Sequence, residues 1–177
     1  INLTGTVRDF NYAGTPGGHP DFEAFLGDDR GVVKSALGLD GKPVYNGSPT
    51  TPTTTGAANF NQWYRDTPGV NASAPVSIAL DETFPGSGIY RYDNQAFFPI
   101  DGQLLGNQGA GHNYAFTYEL PTTFTYEPGQ TFNFRGDDDV WVFINDQLVI
   151  DLGGVHGAES AGVNLDTLGL TPGNTYD

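Results

Sequence analysis

The run Val140-Trp141-Val142-Phe143-Ile144 is apolar on both faces. Asp137-Asp138-Asp139 precedes it and Asn145-Asp146 follows it. Five residues between such breaks are too few for a helix, and Val, Ile, Phe and Trp suit a pleated strand. A strand apolar on both faces must be covered on both, which predicts a place in the middle of a sandwich and not at its edge. Asn145-Asp146 has the residues of a two-residue hairpin turn, after which Gln147 to Leu152 returns. Thr131 to Arg135 reads as a strand entering the acidic break. Three short strands around one acidic loop therefore organise the C-terminal part of the chain.

The remainder is cut into equally short pieces. With 25 Gly and 12 Pro in 177 residues, turns recur too often for long helices. Ile1 to Phe10, Val76 to Leu80, Ile89 to Tyr92, Ala96 to Ile100, Tyr114 to Leu120 and Thr122 to Tyr126 read as strands. Only Asp21 to Leu26 and Phe60 to Arg65 suggest a helical turn, and Val32 to Leu39 fits neither pattern. Residues 47–56, Gly-Ser-Pro-Thr-Thr-Pro-Thr-Thr-Thr-Gly, read as an exposed insertion of extended, solvated backbone. Hydrophobic residues are only 37% of the chain, and nine Tyr, twelve Phe and two Trp must supply much of the core. No repeat and no domain boundary is visible. The expectation is one all-β domain over residues 1–177, an antiparallel β-sandwich with long loops and little helix.

Charge narrows the partners. Twenty-one acidic against seven basic residues give a formal charge of −14, which repels nucleic-acid phosphates and anionic lipid and gathers divalent cations. Neither nucleic-acid binding nor membrane insertion is expected, and no apolar run approaches the roughly 20 residues of a spanning helix. There is no Cys, hence no disulfide and no thiolate metal site, and no Met, which fits a processed start at Ile1.

The three consecutive aspartates are the strongest chemical signal. Two unit charges about 4 Å apart repel by about 1 kcal/mol in bulk water and about 4 kcal/mol near a protein surface. Anchoring both loop ends in strands limits how far Asp137, Asp138 and Asp139 can spread. A bound Ca²⁺, which takes six to eight oxygens, removes that repulsion. A solvated turn also satisfies this local sequence, and the spacing is not that of an EF-hand loop. Beyond the hairpin, Asp151 and His156 lie in Asp-Leu-Gly-Gly-Val-His-Gly, where glycines allow close backbone approach to a ligand.

These blocks carry a resemblance. Gly136-Asp-Asp-Asp-Val-Trp-Val-Phe-Ile-Asn145 and Leu148-Val-Ile-Asp-Leu-Gly-Gly-Val-His-Gly157 resemble the signature of the fibro-slime domain family. His19-Pro-Asp-Phe-Glu23, Asn61-Gln-Trp-Tyr-Arg-Asp66, Phe97-Phe-Pro-Ile-Asp101, His112-Asn-Tyr114 and Asn164-Leu-Asp-Thr-Leu-Gly-Leu170 extend it over nearly the whole chain. That family is similar to the protective-antigen-type β-sandwich, a jelly-roll-like module of toxins, glycosidases and flocculin adhesins. In its lectin members two adjacent aspartates, joined by a cis peptide, hold a Ca²⁺ that binds sugar hydroxyls. The resemblance thus implies Asp137 and Asp138 as metal ligands. Asp139 stands where relatives usually carry Gly and assists, while Asp151 and His156 shape the ligand pocket. It also implies a further apolar strand after Asn174 to Asp177, supplied by a tail, by chain cut from this sequence, or by a neighbouring subunit.

Enzymatic motifs are lacking. No Gly-x-Ser-x-Gly elbow, His-Glu-x-x-His or phosphate loop occurs, and His19, His112 and His156 have no metal-ligand spacing. The sequence therefore predicts a non-enzymatic, calcium-dependent carbohydrate-binding or adhesion module, secreted or at a cell surface, whose partner is a glycan or matrix polysaccharide. The alternative is a structural subunit that self-assembles into an extracellular fibre by strand addition, with calcium purely structural.

Overall fold

The computed structural model describes every residue except Ser48. The chain is 34% strand and 4% helix, and each strand pair is antiparallel, the expected all-β, sandwich-like class. In chain order the strands are β1 (Asn2–Phe10), β2 (Gly27–Asp28), β3 (Asn71–Ala79), β4 (Asp81–Glu82), β5 (Tyr90–Arg91) and β6 (Phe116–Glu119). There follow β7 (Phe124–Thr125), β8 (Thr131–Gly136), β9 (Val140–Ile144), β10 (Gln147–Leu152), β11 (Gly154–Val155), β12 (Glu159–Asn164) and β13 (Thr175–Tyr176).

The strands fall into two compact units, each drawn from two separate stretches of chain. One joins Ile1–Glu23 to Gln62–Thr122, the other Ala24–Asn61 to Thr123–Asp177. Because the units interleave along the chain, no single linker marks a boundary for sequence reading to find.

The first unit is built on the sheet β3-β1-β6. β1 pairs with all of β3, Asn2 opposite Ala79 through Phe10 opposite Asn71. Val7 and Phe10 are fully buried, and Phe22 stacks on Phe10 with ring centroids 4.1 Å apart. On β6 and the residue before it, the buried side chains are the small ones, Ala115 and Thr117, while Tyr114 is exposed. Ala96 to Ile100 form no strand, and Asp21 to Leu26 make a turn and not a helix.

The second unit carries the acidic loop. β8 pairs with β12 and β9 with β10. Buried Tyr126, Ile144 and Leu165 form a core with Phe124, Val142, Val149 and Val163. Asn145 and Asp146 have φ of 52° and 63°, the left-handed pair that a two-residue hairpin requires. Two expectations are corrected here. Among the described residues β9 pairs only with β10, and Val140 to Phe143 are half-buried, so apolar faces did not put this strand inside a sheet. The helix read at Phe60 to Arg65 is instead one turn, α1 (Ala57–Phe60), with Phe60 turned into the core at 5.4 Å from the Tyr45 ring.

The Thr/Pro-rich stretch is exposed only in part, at Pro49, Thr50 and Pro52. Of residues 47–56, Ser48 lies outside the described residues, and Thr53 and Thr54 are each only 2% exposed. Their hydroxyls find protein partners: Thr54 with Tyr45, 2.8 Å, and Thr53 with Asp29, 2.7 Å. Sequence composition shows that threonines are polar, but not that a fold offers them acceptors.

Candidate functional site

The acidic loop joins β8 to β9 in the second unit. Asp138 has φ 66°, a left-handed conformation that few side chains other than Asn and Asp adopt readily. The turn is closed by its own groups: the Asp139 N–H donates to Asp138 Oδ1 at 2.7 Å, and the Asp138 N–H to the His156 carbonyl at 3.3 Å. Asp139 points inward and accepts from the Gly154 N–H at 2.5 Å. Asp137 stays exposed.

Electrostatics bears on the two that follow Asp137. Burial pushes the Asp139 carboxyl up to about 7; the Gly154 amide opposes this, and the Asp138 and Asp29 carboxylates add to it. Asp138 also moves upward, by burial first and by repulsion from Asp137, against the pull of its bond to the Asp139 amide and of His156. Although its own surface is open to solvent, the atoms packed around Asp138 withhold enough water to disfavour its charge. Asp138 and Asp139 are thus adjacent carboxylates both pushed toward the neutral form, and only Asp138 belongs to the pair the resemblance implies.

Asp151 and His156 occupy the same neighbourhood in different roles. Asp151 Oδ1 accepts from Trp141 Nε1 at 3.0 Å and from the Gly153 N–H at 3.1 Å. Its Oδ2 accepts from the Gly31 N–H at 2.8 Å, and its carbonyl from Arg30. Three donors on one carboxylate make it a bracket for the surrounding loops. Both ring nitrogens of His156 face carbonyl oxygens, Gly157 at 2.7 Å and Leu152 at 3.1 Å. A ring that satisfies both must carry two protons. Burial works against that charge, but the two carbonyls and Glu159 outweigh it, and the pKa lies above the ordinary histidine value.

Sequence reading missed Asp29. It is 5% exposed and close enough to Asp139 to raise it. Its signal was local: Gly27-Asp28-Asp29 repeats the Gly-Asp-Asp that opens the other acidic turn. Strand β2 brings it here by pairing with β11, Gly154 opposite Asp28 and Val155 opposite Gly27.

Among the described residues, no group of three or more His, Asp or Glu side chains is arranged to hold a metal. The donor chemistry nevertheless fits a hard cation, because Asp138 and Asp139 present carboxylate oxygens that repel each other and that burial drives toward the neutral form. A cation held there would need carbonyls, water or a ligand's hydroxyls to complete its coordination.

Residues 106–177 match the PA14 domain, a span that contains Asp137 to Asp139, Asp151 and His156 but not Asp29. Protein psiR of Dictyostelium discoideum is 44% identical over 93% of the chain, and protein psiQ of the same organism 41% over 93%. Protein psiD is 40% identical over 88%. The chain spans 18% of psiR and of psiQ and 34% of psiD. No solved structure matches it. Among the described residues no helix is long and apolar enough to cross a membrane.

Proposed function

We propose that this chain is a fibro-slime-type, calcium-dependent carbohydrate-binding module of a secreted or cell-surface adhesion protein, without catalytic activity of its own. The observation that carries the reading is the Asp138–Asp139 pair, adjacent carboxylates both raised by burial and by a like-charged neighbour. The PA14 match over the same loop supports it, since the resemblance ties that domain type to sugar binding.

Asp138 and Asp139 hold the ion, and Asp137 adds negative potential at the rim. A bound Ca²⁺ supplies charge neutralisation and open coordination positions for vicinal sugar hydroxyls. The chain's own residues do the remainder. Asp151 fixes Trp141, Gly31 and Gly153 around the loop, and His156 holds the following turn through Leu152 and Gly157. The net charge of −14 raises local cation concentration and directs recognition toward neutral glycans.

Titration calorimetry with Ca²⁺, then a glycan array with and without chelator, tests the proposal. One Ca²⁺ per chain, lost in Asp138→Ala and Asp139→Asn, and chelator-sensitive glycan retention are expected. No heat at millimolar Ca²⁺, or full uptake by both variants, removes it.

A further inference from the structure

We infer that Asp29 and Thr53 are positioning residues of this site, a clamp that fixes the Gly153-Gly154 segment and so the amide that Gly154 donates to Asp139. The inference rests on the proposed function for what the clamp serves; the clamp itself rests on geometry alone.

One side of the clamp is a buried carboxylate with two donors from a single residue. Asp29 Oδ2 accepts from the Thr53 N–H at 2.9 Å and from Thr53 Oγ1 at 2.7 Å. A carboxylate 5% exposed needs such donors, because burial without them is costly. Thr53 is itself held in place. The Thr51 N–H donates to the Thr54 carbonyl at 3.2 Å, and the Thr54 hydroxyl lies 2.7 Å from that of Thr51 and 2.8 Å from that of Tyr45. The turn is thus closed by its neighbours, and both Thr53 donors are left for Asp29.

The other side is backbone on backbone. The Asp29 N–H donates to the Gly153 carbonyl at 2.8 Å. A methyl carbon on Gly153 would collide with the Asp29 carbonyl oxygen, and one on Gly154 with the Gly27 carbonyl oxygen and the Asp29 amide. Gly154 also has φ 111°, which side chains rarely tolerate. The approach is possible only because both residues are glycine. It sets Gly154 with its N–H 2.5 Å from Asp139 Oδ1. From Thr53 to Asp139 the chain of contacts is unbroken: hydroxyl to Asp29, Asp29 amide to Gly153, Gly154 amide to Asp139.

The test reads the Gly154 amide by NMR in calcium-free protein. In Thr53→Val, which keeps the shape and loses the hydroxyl donor, Gly154 hydrogen exchange is expected to quicken about tenfold, while β8 and β12 amides keep their rates. Thr53→Ser should restore the wild-type rate. Calcium affinity by calorimetry should fall about tenfold in Thr53→Val and recover in Thr53→Ser. Unchanged Gly154 exchange in Thr53→Val overturns the clamp; altered exchange with unchanged calcium affinity overturns its positioning role. Should Thr53→Val not fold, wild-type exchange decides: Thr53, Asp29 and Gly154 amides open at one common rate if the clamp is a unit, and at separate rates if it is not. These amide readouts need no calcium, so coupled amides in a protein that takes up no ion overturn the proposed function and leave the clamp standing.

Discussion

Asp9 in the first unit and Asp139 in the second are both raised by burial, but their charged surroundings differ. Asp9 in β1 is completely buried, accepts from Asn113 Nδ2 at 2.9 Å and from the Leu105 N–H at 2.8 Å, and its carboxyl lies above the usual range because of desolvation, which those donors oppose. Asp139 is raised by burial too, but Asp138 and Asp29 press on it with the same charge. Burial with neutral donors is a structural device: the carboxylate organises loop 105–113 and wants nothing more. Burial beside other carboxylates sets like charges against one another, and the proposed cation site rests on that arrangement.

That contrast breaks most readily at Asp9. Asp9→Ala removes the acceptor of two donors and should cost about 4 kcal/mol in urea denaturation, equally with and without Ca²⁺. A calcium-dependent loss there would erase the distinction. Gly154→Ala tests the other region. A methyl group against the Gly27 carbonyl and the Asp29 amide, at a strained φ, should cost about 3 kcal/mol by the same assay and abolish calcium heat.

Next in size is a pH dependence. The Asp139 carboxyl is held at about 7 in the folded chain and lies near an ordinary carboxylate, about 3.9, when unfolded. Between those values the folded state keeps a proton that the unfolded state releases, so calcium-free stability should fall as pH rises from 4 to 7. The drop attributable to Asp139 is about 2 kcal/mol after solvent screening, read as the difference between wild type and Asp139→Asn melting curves. Saturating Ca²⁺ should flatten the wild-type profile. The smallest effect belongs to the Arg30–Glu159 ion pair, with both partners more than a third exposed. Glu159→Gln should change stability by about 0.5 kcal/mol, screened by salt, leaving calcium binding intact.

Much of the second unit was legible in its text. The hairpin from Val140 to Leu152 and its Asn145-Asp146 turn were readable because turn residues and apolar runs act on near neighbours. The acidic loop declared itself by composition. Statements about surroundings fared worse. Val140 to Ile144 looked like an interior strand and has one paired neighbour among the described residues. Residues 47–56 looked solvated, yet Thr53 and Thr54 are buried against Asp29 and Tyr45. Nothing near Asp151 in the sequence showed that Trp141, Gly31 and Gly153 would all donate to it.

By itself, then, the sequence determined the all-β class, the positions of turns and the presence of concentrated negative charge, since each depends on residues within a few places of one another. Only the tertiary structure decided which of those charges are in conflict. Arg30 reaches Asp151 across 121 positions and Thr53 reaches Asp29 across 24, and the energy of a carboxylate is set by whatever the fold brings against it.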